Sequence, residues 1–159
     1  MEIRQEDREI LAFGLIVLGA VALFASLFLT WSHQLSRGVL AVFGASAALR
    51  GVASDPTGWQ VYSAADVALL LLAAALLTVA LVGSRPARIG VFVAAALGFA
   101  FVIHAANVPA SNGAAGGLPA LHIPADLRRA PSPGPGVTVA IFALGVALGG
   151  LVLSFTTAD

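Results

Sequence analysis

Few residues in this chain are of a type that could perform chemistry. Three histidines, His33, His104 and His122, and the carboxylate of Asp66 lie at or beyond the ends of long apolar runs. Imidazole nitrogens combined with a carboxylate form a ligand set that zinc commonly uses. No H-x-x-x-H or H-E-x-x-H spacing occurs, so these residues could meet only through the topology of the fold. A helix cap at Asp66 and interfacial positions for the histidines are the alternatives, and we assign no metal and no cofactor.

No sequence motif for catalysis is present. The chain contains neither G-x-S-x-G nor a P-loop nor G-x-G-x-x-G, and the absence of cysteine excludes thiolate chemistry and disulfides. Transporters and pumps usually place ionisable residues near the membrane midplane. At the midplane, the apolar runs offer little beyond the hydroxyls of Ser26, Thr78 and Ser154, which can bond to their own helix backbone. These absences count against an ion-coupled transporter and against an intramembrane enzyme, and we assign no catalytic residue.

The composition indicates a membrane protein. Of the 159 residues, 59% are hydrophobic and 10% are charged, whereas soluble domains average about 45–50% and about 25%. A small domain has too much surface to hide this apolar content from water. The lipid bilayer is therefore the expected partner. The formal net charge is zero, which argues against nucleic acid as a partner.

Four apolar runs are long enough to span a bilayer. We predict an all-α, integral membrane four-helix bundle that forms a single domain over residues 1–159. Ser63 and Asp66 fit a capping box at the start of the second helix, and Pro86 is expected to break the chain between the second and third helices. The predicted spans cover residues 10–31, 64–83, 89–106 and 136–155.

Two long loops, 32–62 and 107–135, would lie at the same end of this bundle. Within the first loop, the apolar run 38–49 is too short to span and too apolar for a free loop. We predict a short interfacial or re-entrant helix there, with Arg37 and Arg50 at the headgroups. Strands that cover the outer end of the bundle are the alternative.

The tryptophans and the tyrosine mark the outer membrane surface. Trp31 ends the first span, and Trp59 and Tyr62 precede the second, as expected for aromatic residues that anchor at an interface. The candidate binding residues at this outer face are Trp31, His33, Trp59, Tyr62, Asp66 and His104.

The last span contains a G-x-x-x-G pair. Gly145 and Gly149 lie one turn apart on one helix face, and small residues at this spacing allow another helix to approach closely. We predict that both glycines contribute to helix packing. The alternative is that they reflect only the high glycine content of the chain.

Arginine positions give a weak signal for orientation. An even number of spans puts both termini on one side, together with Arg4, Arg8, Arg85 and Arg88, all near span ends where charge influences topology most. The opposite side has four arginines as well, but two of them are in the long second loop. We predict a multi-pass protein of the cell membrane with cytoplasmic termini.

The segment Gly58-Trp59-Gln60-Val61-Tyr62-Ser63-Ala64-Ala65-Asp66, after a first span that ends in Trp31-Ser32, resembles a group of uncharacterised small four-span membrane proteins of actinobacteria. Thr30 departs from the proline usual in that group, and the first loop is longer. Trp31 and Gly58-Trp59 also resemble the pattern of claudin-like four-helix proteins, although the paired cysteines of that family are missing. The first resemblance implies a bacterial four-span fold, and neither carries a function.

Three functions remain open at this point. The leading one is a small structural or accessory membrane protein that binds other membrane proteins or itself. A transporter or channel subunit is the first alternative. A membrane enzyme or metal site that uses the outer His and Asp residues is the second.

Overall fold

The fold consists of four long helices and a small cap of short elements. The computed structural model describes residues 5–33, 55–61, 63–108 and 132–156. The long helices are α1 (Gln5–Ser26), α3 (Ser63–Val82), α4 (Arg85–Asn107) and α5 (Pro135–Thr156), and the short elements are β1 (Ser32–His33), the single-turn helix α2 (Gly58–Val61) and β2 (Ser132–Pro133).

All four long helices are long and apolar enough to cross a membrane. Large apolar side chains point outward on every one of them, and Leu97, Phe142 and Val82 are 68%, 70% and 83% exposed. Water would solvate such a surface poorly, whereas lipid tails match it. The chain is therefore a multi-pass, all-α membrane protein, as the composition predicts.

Helices α1 and α5 form the closest pair because small residues line both of their facing surfaces. A Cβ added to Gly19 would lie 2.6 Å from the carbonyl oxygen of Ala143 and 2.7 Å from the Cβ of Ala147. A Cβ added to Gly150 would lie 2.9 Å from the backbone nitrogen of Ile16. Only glycine allows the two backbones to approach this closely, which fixes the antiparallel register of α1 and α5.

The other two helices pack on this pair, and neighbouring helices alternate in direction. Helix α3 lies against α1, and α4 lies against α5. Helices α3 and α4 are joined by Gly83 and Ser84 alone and form an antiparallel hairpin, as predicted. We call the end where α1 and α4 begin and α3 and α5 end the terminal end, and the opposite end the loop end.

Several predicted boundaries need correction. Helix α1 ends at Ser26, not at residue 31, because the chain turns over Leu27–Leu29 before it reaches Trp31. The segment Arg85–Arg88 is the first turn of α4 rather than a connecting turn. Pro86 does not break this helix, because an amide in the first turn has no intrahelical acceptor to lose.

A cap closes the loop end. It comprises Thr30–His33, Asp55–Val61 and Ser132–Gly134. Strand β1 pairs antiparallel with β2, and Thr30 forms an isolated bridge with Thr57. The predicted interfacial helix at 38–49 lies outside the described residues, as does most of the second loop.

Candidate functional site

Trp31 is the centre of the cap. Its side chain is only 1% exposed, and its Nε1 donates a hydrogen bond of 2.7 Å to the carbonyl oxygen of Ser26. Its backbone N–H donates to the carbonyl of Pro56 at 2.9 Å, and its own carbonyl accepts the N–H of Gly134 at 2.9 Å. One residue thereby joins the end of α1 to both loops. The indole is enclosed by protein rather than exposed to lipid, and the position of Trp31 at the level of the membrane surface stays a prediction.

Two glycines make room for this indole. A Cβ on Gly136, at the start of α5, would lie 2.7 Å from the indole Nε1 and 2.9 Å from the carbonyl oxygen of Ser26. A Cβ on Gly58, in α2, would lie 3.3 Å from the same Nε1. The indole therefore fits only where two backbones approach it without side chains.

Asp66 borders the same enclosed region. It lies in the first turn of α3 and is wholly buried, and its Oδ1 lies 3.1 Å from the position of a Cβ on Gly58. A buried carboxylate in a membrane protein is costly unless it has a specific role. Here the carboxylate and the indole lie beneath the cap, so neither is open to a substrate. The capping box predicted for Asp66 requires the side chain of Ser63, which lies outside the described side chains.

Trp59 packs on Phe28, in the turn that follows α1. Its ring centroid lies 6.4 Å from that of Phe28, and Phe28 in turn contacts Phe24 at 5.2 Å. The Trp59 Nε1 is buried and donates to no described residue. Trp31 and Trp59 therefore return to one level of the molecule, as predicted. Tyr62 lies outside the described residues.

The two described histidines are exposed, whereas Asp66 is buried. His33 is exposed, and its Nδ1 lies 2.6 Å from the Oδ1 of Asp55, a pairing that the sequence analysis missed. His104 is exposed on α4, whereas Asp66 is buried. Among the described residues, no three His, Cys, Asp or Glu side chains come close enough to hold a metal. His122 lies outside them.

The two glycines predicted to pack face outward. Both Gly145 and Gly149 are exposed, and a Cβ on either would meet nothing within 4 Å. Within the chain, close packing of α5 uses Gly136 and Gly150 instead. A contact of Gly145 and Gly149 with another molecule stays a prediction.

Three hydroxyls in the apolar runs bond to their own helices, as predicted. Ser26 donates to the carbonyl of Leu23 at 2.6 Å, Thr78 to that of Ala74 at 2.9 Å, and Ser154 to that of Leu151 at 2.7 Å. Ser26 and Ser154 lie near helix ends rather than at the midplane. The hydrogen-bond donors of all three hydroxyls are therefore used within their own helices.

Protein-family models, curated proteins and solved structures give no match to this chain. The resemblances drawn from the sequence therefore stay predictions, and function has to be argued from the geometry.

Proposed function

We propose that this protein is a non-enzymatic structural or accessory membrane protein that binds other membrane proteins or a second copy of itself through the outward face of α5. The observation that carries the proposal is the position of Gly145 and Gly149. They lie one turn apart on a face that no other part of the described chain covers. We further propose that the protein resides in the cell membrane of a bacterium with its termini in the cytoplasm.

The physical argument concerns the cost of an exposed glycine. Glycine destabilises a helix by about 0.8–1.0 kcal/mol relative to alanine, and within the chain these two glycines gain no packing in return. In lipid, helices associate by close backbone approach, because apolar side chains gain nothing by leaving lipid tails. Phe142 and Val152, on the same face and 70% and 50% exposed, would pack on either side of the approaching helix.

The remainder of the structure fits a scaffold. Trp31 in the cap and Asp66 in α3 are both enclosed by protein, and the hydrogen bonds of Trp31 join the loop segments to the end of α1. An ordered cap and a closely packed α1–α5 pair hold the outward face of α5 in a fixed orientation. A rigid presentation of this kind lowers the entropic cost of binding.

Replacement of Gly145 by leucine tests the proposal. We expect wild-type protein in lipid nanodiscs or mild detergent to form an oligomer or a discrete complex, and Gly145→Leu to lose it. The melting temperature of the monomer should be equal or higher, because a Cβ at this position meets no described atom within 4 Å and leucine favours a helix over glycine. Gly14→Leu is the matched control, since Gly14 is also exposed and open but has no glycine four residues away.

Photo-crosslinking locates the contact. A photoreactive residue at Phe142 should give a protein adduct whose mass identifies a second copy or a different partner, and the adduct should disappear in Gly145→Leu. The same group at Leu97, on the outward face of α4, should label lipid only. A monomeric wild type that gives lipid adducts alone at position 142 would contradict the proposal.

A further inference from the structure

A cavity of about 380 Å³ opens between the helices at the terminal end, away from the cap. All four long helices line it. Its polar lining consists of Glu9 from α1, Arg88 from α4 and Ser154 from α5, and its apolar lining includes Ala12, Ile16 and Val79. Cavities of about 300–1,000 Å³ are typical of small-molecule sites.

The guanidinium of Arg88 is held in place at this cavity. Its Nε donates to the carbonyl of Gly83 at 3.2 Å, and its Nη1 donates to the carbonyl of Ser154 at 3.4 Å. Guanidinium has five N–H donors, so further donors remain after these two bonds. Both acceptors are neutral, and no carboxylate among the described residues forms an ion pair with Arg88. The positive charge at the cavity is therefore not neutralised by the described part of the chain.

Glu9 supplies the opposite charge to the same cavity. It lies near the start of α1, is exposed, and forms no ion pair with any described residue. A ligand that spans the cavity would therefore meet a fixed cation on one side and a carboxylate on the other. A group with both a negative and a positive charge complements this pair.

The depth of the cavity matches a lipid. Glu9, Arg88 and Ser154 all lie near the ends of helices that are long enough to span a membrane, and the ends of such helices meet the headgroup region. Ile16 lies about 10 Å deeper along α1, at 1.5 Å per residue, and it is buried together with Ala12 and Val79. The cavity therefore has a charged mouth and an apolar floor.

We infer that this cavity binds the headgroup of a phosphoethanolamine lipid, with the phosphate on Arg88 and the primary ammonium on Glu9. Arginine binds phosphate through paired N–H donors. A primary ammonium donates hydrogen bonds to a carboxylate, whereas a choline has no N–H to donate, and an anionic glycerol headgroup would leave Glu9 without a counter-charge. The site thus discriminates among phospholipids by the chemistry of the headgroup.

Native mass spectrometry of the full chain tests the inference, with phosphatidylethanolamine, phosphatidylcholine and phosphatidylglycerol of identical acyl chains added in turn. We expect the fraction of protein that retains a lipid to be about tenfold higher for the ethanolamine lipid than for the other two. A factor of ten corresponds to the gain of one charge-assisted hydrogen bond. Arg88→Gln should lose the adduct. Glu9→Gln should keep lipid binding but lose the preference for ethanolamine. Arg85→Gln and Glu6→Gln are matched controls on the same helices and should behave as wild type.

A second variant guards against misfolding, because Arg88→Gln also removes two bonds to backbone carbonyls. Ala80→Leu fills the cavity from α3 and keeps both charges, so it should lose the adduct at an unchanged melting temperature. Competition with glycerophosphoethanolamine and with inorganic phosphate distinguishes a lipid from a soluble phosphate, and we expect neither to displace the lipid at equal concentration. The inference would be overturned if wild type retained the three lipids equally, or if either soluble compound displaced the lipid. It would also be overturned if both Arg88→Gln and Ala80→Leu kept the adduct unchanged.

Discussion

At the scale of single residues, Trp31 has the most constrained surroundings among the described side chains of the cap. The indole is enclosed by Gly58, Gly136 and the last turn of α1, and its N–H is bonded to Ser26. Such a site tolerates neither added volume nor the loss of its acceptor. Two predictions follow from its geometry.

Gly136→Ala should destabilise the fold. The added methyl would lie 2.7 Å from the Trp31 Nε1, and overpacking of this kind costs about 1–3 kcal/mol. Thermal unfolding in detergent measures the effect. Gly90→Ala is the control, because a Cβ there meets nothing within 4 Å, and it should leave the melting temperature equal or higher. Equal melting temperatures for Gly136→Ala and wild type would show that the indole can move aside.

The two tryptophans should respond differently to replacement by phenylalanine. Trp31→Phe removes the indole N–H that donates to the carbonyl of Ser26, which still accepts the N–H of Leu29 at 3.2 Å, so the loss should be about 0.5–1.5 kcal/mol. Trp59→Phe removes a buried N–H that no described residue accepts, so its cost should be well below that of Trp31→Phe. Thermal unfolding of the two variants makes the comparison, and a larger loss for Trp59→Phe would be the opposite result.

At the scale of the helices, neighbouring glycines of α5 have opposite roles. Gly150 faces α1 at close range, and Gly149 faces outward into open space. Successive residues of an α-helix point in directions about 100° apart around the helix axis, so Gly149 and Gly150 lie on different faces. A local sequence of two consecutive glycines contains no signal that distinguishes them.

The pair Gly149→Ala and Gly150→Ala should therefore shift stability in opposite directions. A Cβ at position 150 would lie 2.9 Å from Ile16 and Leu15, so α1 must move away at a cost of about 1–3 kcal/mol. A Cβ at position 149 meets no atom of the described residues within 4 Å, and alanine favours the helix by up to about 1 kcal/mol. Melting temperatures of the monomer in detergent give the comparison. Shifts of the same sign would mean that α1 and α5 do not pack in this register.

At the scale of the whole molecule, the alternation of the four helices puts residues 84 and 132 at opposite ends. If the termini are cytoplasmic, a cysteine at Ser132 should react with an impermeant maleimide in intact cells, and a cysteine at Ser84 should react only after lysis. The chain has no cysteine of its own, so each single substitution gives an unambiguous signal. Labelling of Ser84→Cys in intact cells would show that the termini lie outside the cell, opposite to the prediction.

The sequence by itself determined the fold class and the approximate spans. Hydropathy is a property of each run of residues, and a run of about 20 apolar residues can satisfy its backbone in lipid only as a helix. The predicted start of the last span, residue 136, differs from the observed Pro135 by one residue. The end of the first span was wrong because the return of Trp31 to Ser26 depends on Gly58 and Gly136, which are distant in sequence.

Only the tertiary structure decided which polar and small residues meet. It joined His33 to Asp55, it left His104 exposed on α4, and it assigned close packing to Gly150 rather than to Gly145 and Gly149. It also placed Glu9 and Arg88 on one cavity. The physical reason is that the rotation and register of helices are set by how whole faces interlock, and no local pattern in a chain this rich in alanine and glycine specifies which faces will do so.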